Sequence, residues 1–339
     1  MRFSTSAFAP ACTSPNHCEA DPLRLYPDAS GGEAAVTRYR VFPGMELDYR
    51  DVHAHACREL RDGSGERLEI HHCLEGRVEY RQNGRYFYLS PGDLAVARTS
   101  SLPLDSRFPT GHYHGITVTI DPAAAPECLS CILSDVEVRP ATLMEKLCPG
   151  GTVFTARSSR RVKHVFSELY AVPEDIRKGY LKVNLLELLL FLSTLSPEDG
   201  QTPHGCTAAQ VSLAEQVKAR LLAEPDRTLT LKSLSQQFNV SEAQIKSSFT
   251  GVYGMSPAAY ARSQRMHGAA ALLRETDRTV LDIACQFGYD NASKFARAFR
   301  DVIGVSPREY RAGAEYDSCA PQLGEKPVSL SDADAKRRI

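Results

Sequence analysis

The chain has 339 residues, of which 42% are apolar and 24% charged, and its net charge is -1 at pH 7. This length can hold two domains with a connecting piece, and this balance is that of a packed globular protein, which excludes a polar, highly charged disordered chain. The longest apolar stretch, residues 185–195, is interrupted by Glu187, Ser193 and Thr194, which excludes a bilayer-spanning helix.

Residues 1–30 are rich in Ala, Ser, Pro and Asp without periodicity, and a disordered arm is expected there. Met1-Arg2-Phe3-Ser4 is not followed by the apolar run of a secretory leader. The ten cysteines are scattered along a long chain, so reduced thiols, a cytoplasmic location and no membrane partner are expected. Cys73 and Cys285 lie in apolar surroundings and read as buried packing residues.

Residues 31–155 read as short strands. Residues 68–74 lead into a turn at Glu75-Gly76, and residues 77–81 alternate polar and apolar. Asn83-Gly84 is a hairpin signal, and residues 85–89 are followed by the turn Ser90-Pro91-Gly92-Asp93 and by residues 94–97. Many short strands with glycine-containing turns predict a small sandwich or barrel.

Residues 156–197 switch to helical spacing, as a connector or dimerisation segment. Val162, Val165, Phe166, Leu169 and Tyr170 form one stripe. Pro173 opens a second helix in which Ile176, Tyr180, Val183, Leu186, Leu190 and Leu195 recur, with further leucines beside them. So wide an apolar face suits either covering the strands or pairing with a second subunit, and a homodimer is expected. Residues 198–207, rich in Pro, Gly and Thr, read as a linker.

Residues 208–313 carry 14 Lys+Arg and 10 Asp+Glu, so this segment is net +4 and the remainder net -5. A helix over about 211–222 precedes a pattern that occurs twice, fifty positions apart. Gly254-Met255-Ser256-Pro257-Ala258-Ala259-Tyr260 closes the first copy and Gly304-Val305-Ser306-Pro307-Arg308-Glu309-Tyr310 the second. Self-similarity at a fixed spacing marks one supersecondary unit built twice. In the first copy Thr230 caps a helix, Asn239-Val240 turns the chain, and Ser241 caps a second helix over 242–253 with Ile245, Phe249 and Val252 inward. In the second copy Thr279 caps, Gly288-Tyr289-Asp290 turns, and Asn291 caps a helix with Phe295, Phe299 and Val302 inward. Pairs of this kind are helix-turn-helix units, whose second helix presents its outer residues to base edges in a DNA major groove. The residues placed there are Ala243, Gln244, Lys246 and Ser247 in the first copy, and Asn291, Ser293, Lys294, Arg297 and Arg300 in the second. Arg pairs with guanine in bidentate fashion, while Lys and Ser reach phosphates.

On Ile283-Ala284, Phe287-Gly288-Tyr289, Ser293, Phe295, Arg297, Phe299 and residues 304–310, this segment resembles the DNA-binding domain of the AraC/XylS family of bacterial transcriptional regulators. The resemblance implies two helix-turn-helix units in adjacent major grooves and an N-terminal region that senses a signal or dimerises. The family usually has Arg two residues before the closing Phe of each recognition helix; here the second copy has Arg297 and the first has Ser247. Residues 67–94 resemble the cupin-like sensor barrel of the same family, which implies a pocket for an effector whose identity is unknown. The resulting expectation is an α+β multidomain protein: a cupin-like β-barrel, a helical connector and an all-α domain with two helix-turn-helix motifs, followed by a disordered tail over 314–339. Its partners would be double-stranded DNA, a small molecule and a second copy, with RNA polymerase a further candidate.

Two other readings attach to single motifs. His53-Ala54-His55 with Glu59, together with His112 and His114, resembles part of the metal motif of enzymatic cupins. Cys128 and Cys131 suit a redox pair or half a zinc site. These give a metal-dependent enzyme and a thiol-based redox regulator as alternatives. No nucleophile elbow, phosphate loop or paired catalytic carboxylates stand at a recognisable spacing, so neither a catalytic residue nor a cofactor is assigned.

Overall fold

A computed structural model of the chain describes residues 20–24, 26–27, 31–58, 65–126, 138–200, 205–223 and 229–313. Glu59, Cys128, Cys131, most of the expected arm and the expected tail lie outside these residues. Strands β1 (Ala20–Arg24), β2 (Tyr26–Pro27), β3 (Glu33–Phe42), β4 (Met45–His53), β5 (Ala56–Arg58) and β6 (Leu68–Gly76) come first. They are followed by β7 (Val78–Gln82), β8 (Arg85–Leu89), β9 (Leu94–Arg98), β10 (Asp105–Arg107), β11 (Tyr113–Ile120) and β12 (Phe154–Ala156). Among the described residues the strands make a seven-stranded sheet in the order β1-β3-β4-β11-β6-β9-β12, a three-stranded sheet β10-β5-β2, and the hairpin β7-β8. The hairpin follows from Asn83-Gly84: both have positive φ (51° and 71°), as a tight two-residue turn requires.

β1 and β2 correct one expectation. Composition reads residues 1–30 as an arm without order, yet Ala20–Arg24 pairs antiparallel with β3 and Tyr26–Pro27 with β5. An open strand edge offers backbone donors and acceptors to any segment that reaches it, whatever that segment's side chains.

The seven-stranded sheet is covered on both faces. One face packs Leu47, Ile70, Leu94, Ile116 and Val118 against three helices, α1 (Pro140–Leu147), α2 (Arg160–Tyr170) and α3 (Arg177–Thr194). The other packs Val36, Val52, Cys73, Ala95 and Tyr113 against residues of the smaller sheets, including Cys57, Tyr80 and Leu89. This accounts for the uninterrupted burial of the first four residues of β9, where a half-exposed strand would alternate.

α3 buries more than the stripe the spacing picks out, of which Leu186, Leu190 and Leu195 pack partly buried against the core. Leu181, Leu185, Leu188, Leu189 and Leu192 are buried, while Val183 and Ile176, the residue just before the helix, are 63% and 55% exposed. The apolar face is wider than one stripe, and periodicity alone does not say how much of it is covered; only Val183 on the helix and Ile176 just before it are left largely exposed.

The remaining helices are α4 (Ala208–Ala223), α5 (Leu231–Phe238), α6 (Glu242–Tyr253), α7 (Pro257–Glu275), α8 (Val280–Gln286), α9 (Ala292–Ile303) and α10 (Pro307–Arg311). The described residues up to Leu221, together with Leu229–Ala259, form one compact unit, and Leu222, Ala223 and those from Tyr260 onward form a second. In the second unit Met266, Ala269, Ala270 and Leu273 of α7 enclose Ile283, Ala284, Phe295 and Phe299. Cys285 is exposed, correcting its reading as a packing residue: the inward face of α8 is Ile283 and Ala284, and the next position points away. No helix among the described residues is long and apolar enough to cross a membrane.

Candidate nucleic-acid interface

The first helix pair is built by its caps. Thr230 Oγ1 accepts from Ser233 N at 3.1 Å and opens α5. Asn239 takes left-handed φ and ψ (52°, 45°) and ends it. Ser241 Oγ accepts from Gln244 N at 3.1 Å and opens α6. Each cap satisfies a backbone donor or redirects the chain at a helix end that would otherwise leave polar groups unpaired. Ile245 and Phe249 are fully buried and Val252 is 2% exposed, which fixes the rotation of α6 about its axis. Ala243, Gln244, Lys246 and Ser247 are consequently all exposed, on the N-terminal half of the helix. Lys246 is the single cation among them, and Ser247 Oγ donates to the Gln244 carbonyl at 3.1 Å.

The second pair repeats the arrangement inside its own unit. Thr279 Oγ1 accepts from Asp282 N at 3.1 Å. Asn291 Oδ1 accepts from Ser293 N at 2.7 Å and Lys294 N at 3.3 Å. Phe295 and Phe299 are fully buried, and Asn291, Ser293, Lys294, Arg297 and Arg300 are all exposed. A spacing of three residues sets Lys294, Arg297 and Arg300 along one side of α9, a cationic stripe with no counterpart on α6. Arg300 Nη2 leans toward Glu309 Oε2 at 3.8 Å, a weak surface pair. Asn291 holds its oxygen in the cap, so its amide NH2 is the part left to meet a partner.

Sequence reasoning missed what surrounds the far end of α6. Arg77 of the β-sheet domain is 8% exposed, and its Nη1 donates to the Thr250 carbonyl at 3.5 Å. Gly254, the C-cap of α6, has φ 76°, and a Cβ there would collide with the same Nη1. Burial pushes the Arg77 guanidinium below its ordinary pKa. Nearby, Cys206 and Tyr86 exchange backbone hydrogen bonds of 2.8 and 2.9 Å, and Lys218 Nζ lies over the Tyr253 ring at 5.6 Å.

Between its sheets the β-domain holds a small pocket with about 20 Å³ of free space, lined by Arg50, Glu69, His71, Glu79, Tyr80, Phe108 and Tyr113 among others. Beside it, His71 Nδ1 meets Thr117 Oγ1 at 3.1 Å and Tyr88 donates to Glu79 Oε2 at 3.0 Å, while His71 Nε2 lies 3.1 Å from Glu69 Oε2 without a hydrogen bond of good direction.

The histidines divide differently from their spacing. His55 turns to the Phe108 carbonyl, with Nδ1 at 3.3 Å, and does not join His53. His53 and His114 instead meet at Asp51: His53 Nε2 lies 3.0 Å and His114 Nε2 2.9 Å from Asp51 Oδ1. Burial opposes charge on His114, but the carboxylates of Asp51 and Glu75 more than offset it and push its pKa up to about 9.

Comparison with known proteins places these features. Residues 234–313 match the helix-turn-helix domain family. Over 275 residues the chain is 35% identical to an uncharacterized HTH-type transcriptional regulator of Escherichia coli K12, YdiP, covering 77% of this chain and 88% of that protein. It is 24% identical over 275 residues to the arabinose operon regulatory protein of the same organism, covering 76% of this chain and 83% of that one. To the transcriptional regulator Rob of Salmonella typhimurium it is 32% identical over 93 residues, 27% of this chain; the match spans about a third of Rob's length, 32%.

Proposed function

The chain belongs to the AraC/XylS family of helix-turn-helix transcriptional regulators, and from that premise we propose that it binds specific double-stranded DNA sites through α6 and α9 and regulates transcription there. The observation that carries this reading is the repeated, separately capped helix pair whose packing leaves all nine assigned residues exposed. Arg297 is assigned to a base edge, Lys294 and Arg300 to phosphates. With Ser247 in place of the usual arginine, α6 relies on Gln244 and Lys246, and α9 supplies most of the charged contact. The family is one of regulators and not of enzymes, which sets aside the enzymatic alternative.

We assign effector binding to the β-domain, read as a cupin-like sensor. Its small interior pocket combines aromatic walls with converging polar groups, the usual lining of a small-molecule site, and these side chains must move aside to admit an effector larger than water. A ligand there alters DNA binding only by differing in affinity for the DNA-competent and other states. The dimer is assigned to the outward side of α3, where Val183 stands exposed with Ile176 just before the helix.

The test is selection of binding sequences from sheared source-genome DNA, followed by titration of the best fragment against random DNA at fixed salt. A site bound at least ~10³-fold more tightly than random DNA is the expected result. Equal, salt-sensitive binding to every fragment would overturn the specific-regulator reading.

A further inference from the structure

We propose that Asp51, His53 and His114 form a binding site for one divalent first-row transition-metal cation, with Glu75 orienting His114. The site is a product of sheet register. On the helix-covered face, Tyr49, Ile116 and His72 stand opposite one another across β4, β11 and β6. One step further along the same face, Asp51, His114 and Glu75 form the next row, and His53 follows Asp51 by two residues on β4. Residues directly opposite on neighbouring strands, and diagonal neighbours with long side chains, are within reach of each other. The apolar face therefore ends in two imidazoles and two carboxylates.

Asp51 Oδ1, His53 Nε2 and His114 Nε2 all lie within 4.8 Å of one another. Both imidazole nitrogens approach the same carboxylate oxygen, at 3.0 and 2.9 Å. The rings are not aligned for this: Asp51 Oδ1 and His114 Nε2 are buried atoms without a hydrogen bond of acceptable direction. A cation that displaces the imidazole protons would turn the lone pairs of these three atoms toward one point. Behind the cluster, Glu75 Oε2 stands 3.4 Å from the other ring nitrogen of His114. A carboxylate on the far nitrogen of a ligating histidine fixes its tautomer and orientation.

Two imidazoles and a carboxylate suit Zn²⁺, Fe²⁺, Co²⁺ or Ni²⁺ better than the all-oxygen shells of Ca²⁺ and Mg²⁺. Spreading the three atoms to bond lengths of about 2.0–2.2 Å needs little more than side-chain rotation. The His53 side chain is 47% exposed, which gives the ion a path in from solvent. The cluster lies on the opposite face of the sheet from the interior cavity, so it is distinct from the effector site proposed above.

The test uses the full chain, stripped with chelator and titrated with Co²⁺, followed by visible absorbance and thermal melting. Expected are one Co²⁺ per chain, ligand-field bands without a thiolate-to-cobalt charge-transfer band, and a melting temperature that rises with Co²⁺. His53→Ala, at an exposed position, should melt like the wild type without metal and lose the Co²⁺ response, and Glu75→Gln should weaken binding about 10–100-fold. The proposal is overturned if the wild type gives neither bands nor a shift, which would leave a metal-free ion-pair network. Thiolate bands, or His53→Ala binding as tightly as the wild type, overturn it equally. No arm depends on DNA binding.

Discussion

Arg77 and Thr250 are 173 positions apart in sequence, yet the Arg77 guanidinium donates to the Thr250 carbonyl at the C-terminal end of the first recognition helix. The last carbonyls of a helix carry partial negative charge, and a buried cation aimed at them is worth up to about 2 kcal/mol. Arg77→Ala should lower the unfolding free energy by about 1–2 kcal/mol in urea titration, with Arg77→Lys recovering part of it. Gly254→Ala should cost at least as much, since a left-handed residue with a Cβ is strained by about 1–2 kcal/mol before its collision with Arg77 is counted. Unchanged urea midpoints in both variants would show that the β-domain does not steady α6.

The asymmetry between the reading helices gives a second expectation. Arg297 is exposed on the cationic side of α9, so Arg297→Ala should weaken binding to a selected site by about 1–3 kcal/mol and relax preference at one base pair. Ser247→Arg, which restores the family's usual residue on α6, should tighten binding to the same site. Titrations on cognate and random DNA at several salt concentrations measure both. A loss equal on all sequences, with a shallower salt dependence, would move Arg297 from a base edge to a phosphate.

The helical half was legible because its signals are local. Thr230, Ser241, Thr279 and Asn291 cap the helices they were expected to cap, and each does so through a neighbour two or three residues away. Asn83-Gly84 fixed its hairpin for the same reason. What escaped depends on partners distant in sequence. Asp51 meets His114 only through the register of β4 against β11, so HxH spacing joined His53 to His55 instead. The buried face of α3 was decided by the sheet beneath it, and Cys285 by the rotation of a seven-residue helix.

His72 makes stability depend on pH. It is 4% exposed, stacked on Phe166 at 4.1 Å, with Nδ1 3.0 Å from Tyr170 Oη. Burial pushes its pKa down to about 3, from an ordinary 6.5. The unfolded chain therefore binds a proton below about pH 6.5 that the folded chain refuses until about pH 3. This contribution is fully present above pH 6.5 and is lost as pH falls through that window, by at most about 1.4 kcal/mol per pH unit. Urea unfolding at pH 7, 6, 5 and 4 should show a steeper decline for the wild type than for His72→Phe. Parallel declines would mean that His72 is protonated in the fold.

The outward side of α3 provides the last expectation. Val183 is 63% exposed on a helix whose opposite side is sealed against the sheet, and Ile176, just before that helix, is 55% exposed. Apolar side chains held out on a rigid helix lose contact with water when a second copy covers them, whereas a charge placed among them would be buried unpaired. Val183→Glu should therefore shift the protein from dimer to monomer in light scattering behind size exclusion, and should leave its melting temperature when diluted to monomer unchanged. A wild type that runs as a monomer at the highest accessible concentration, or a variant that stays dimeric, would remove α3 as the dimer surface. If the dimer is also the form that reads DNA, Val183→Glu should lose affinity for a two-half-site fragment while keeping its affinity for a single half-site, a difference that damage to α6 or α9 would not produce.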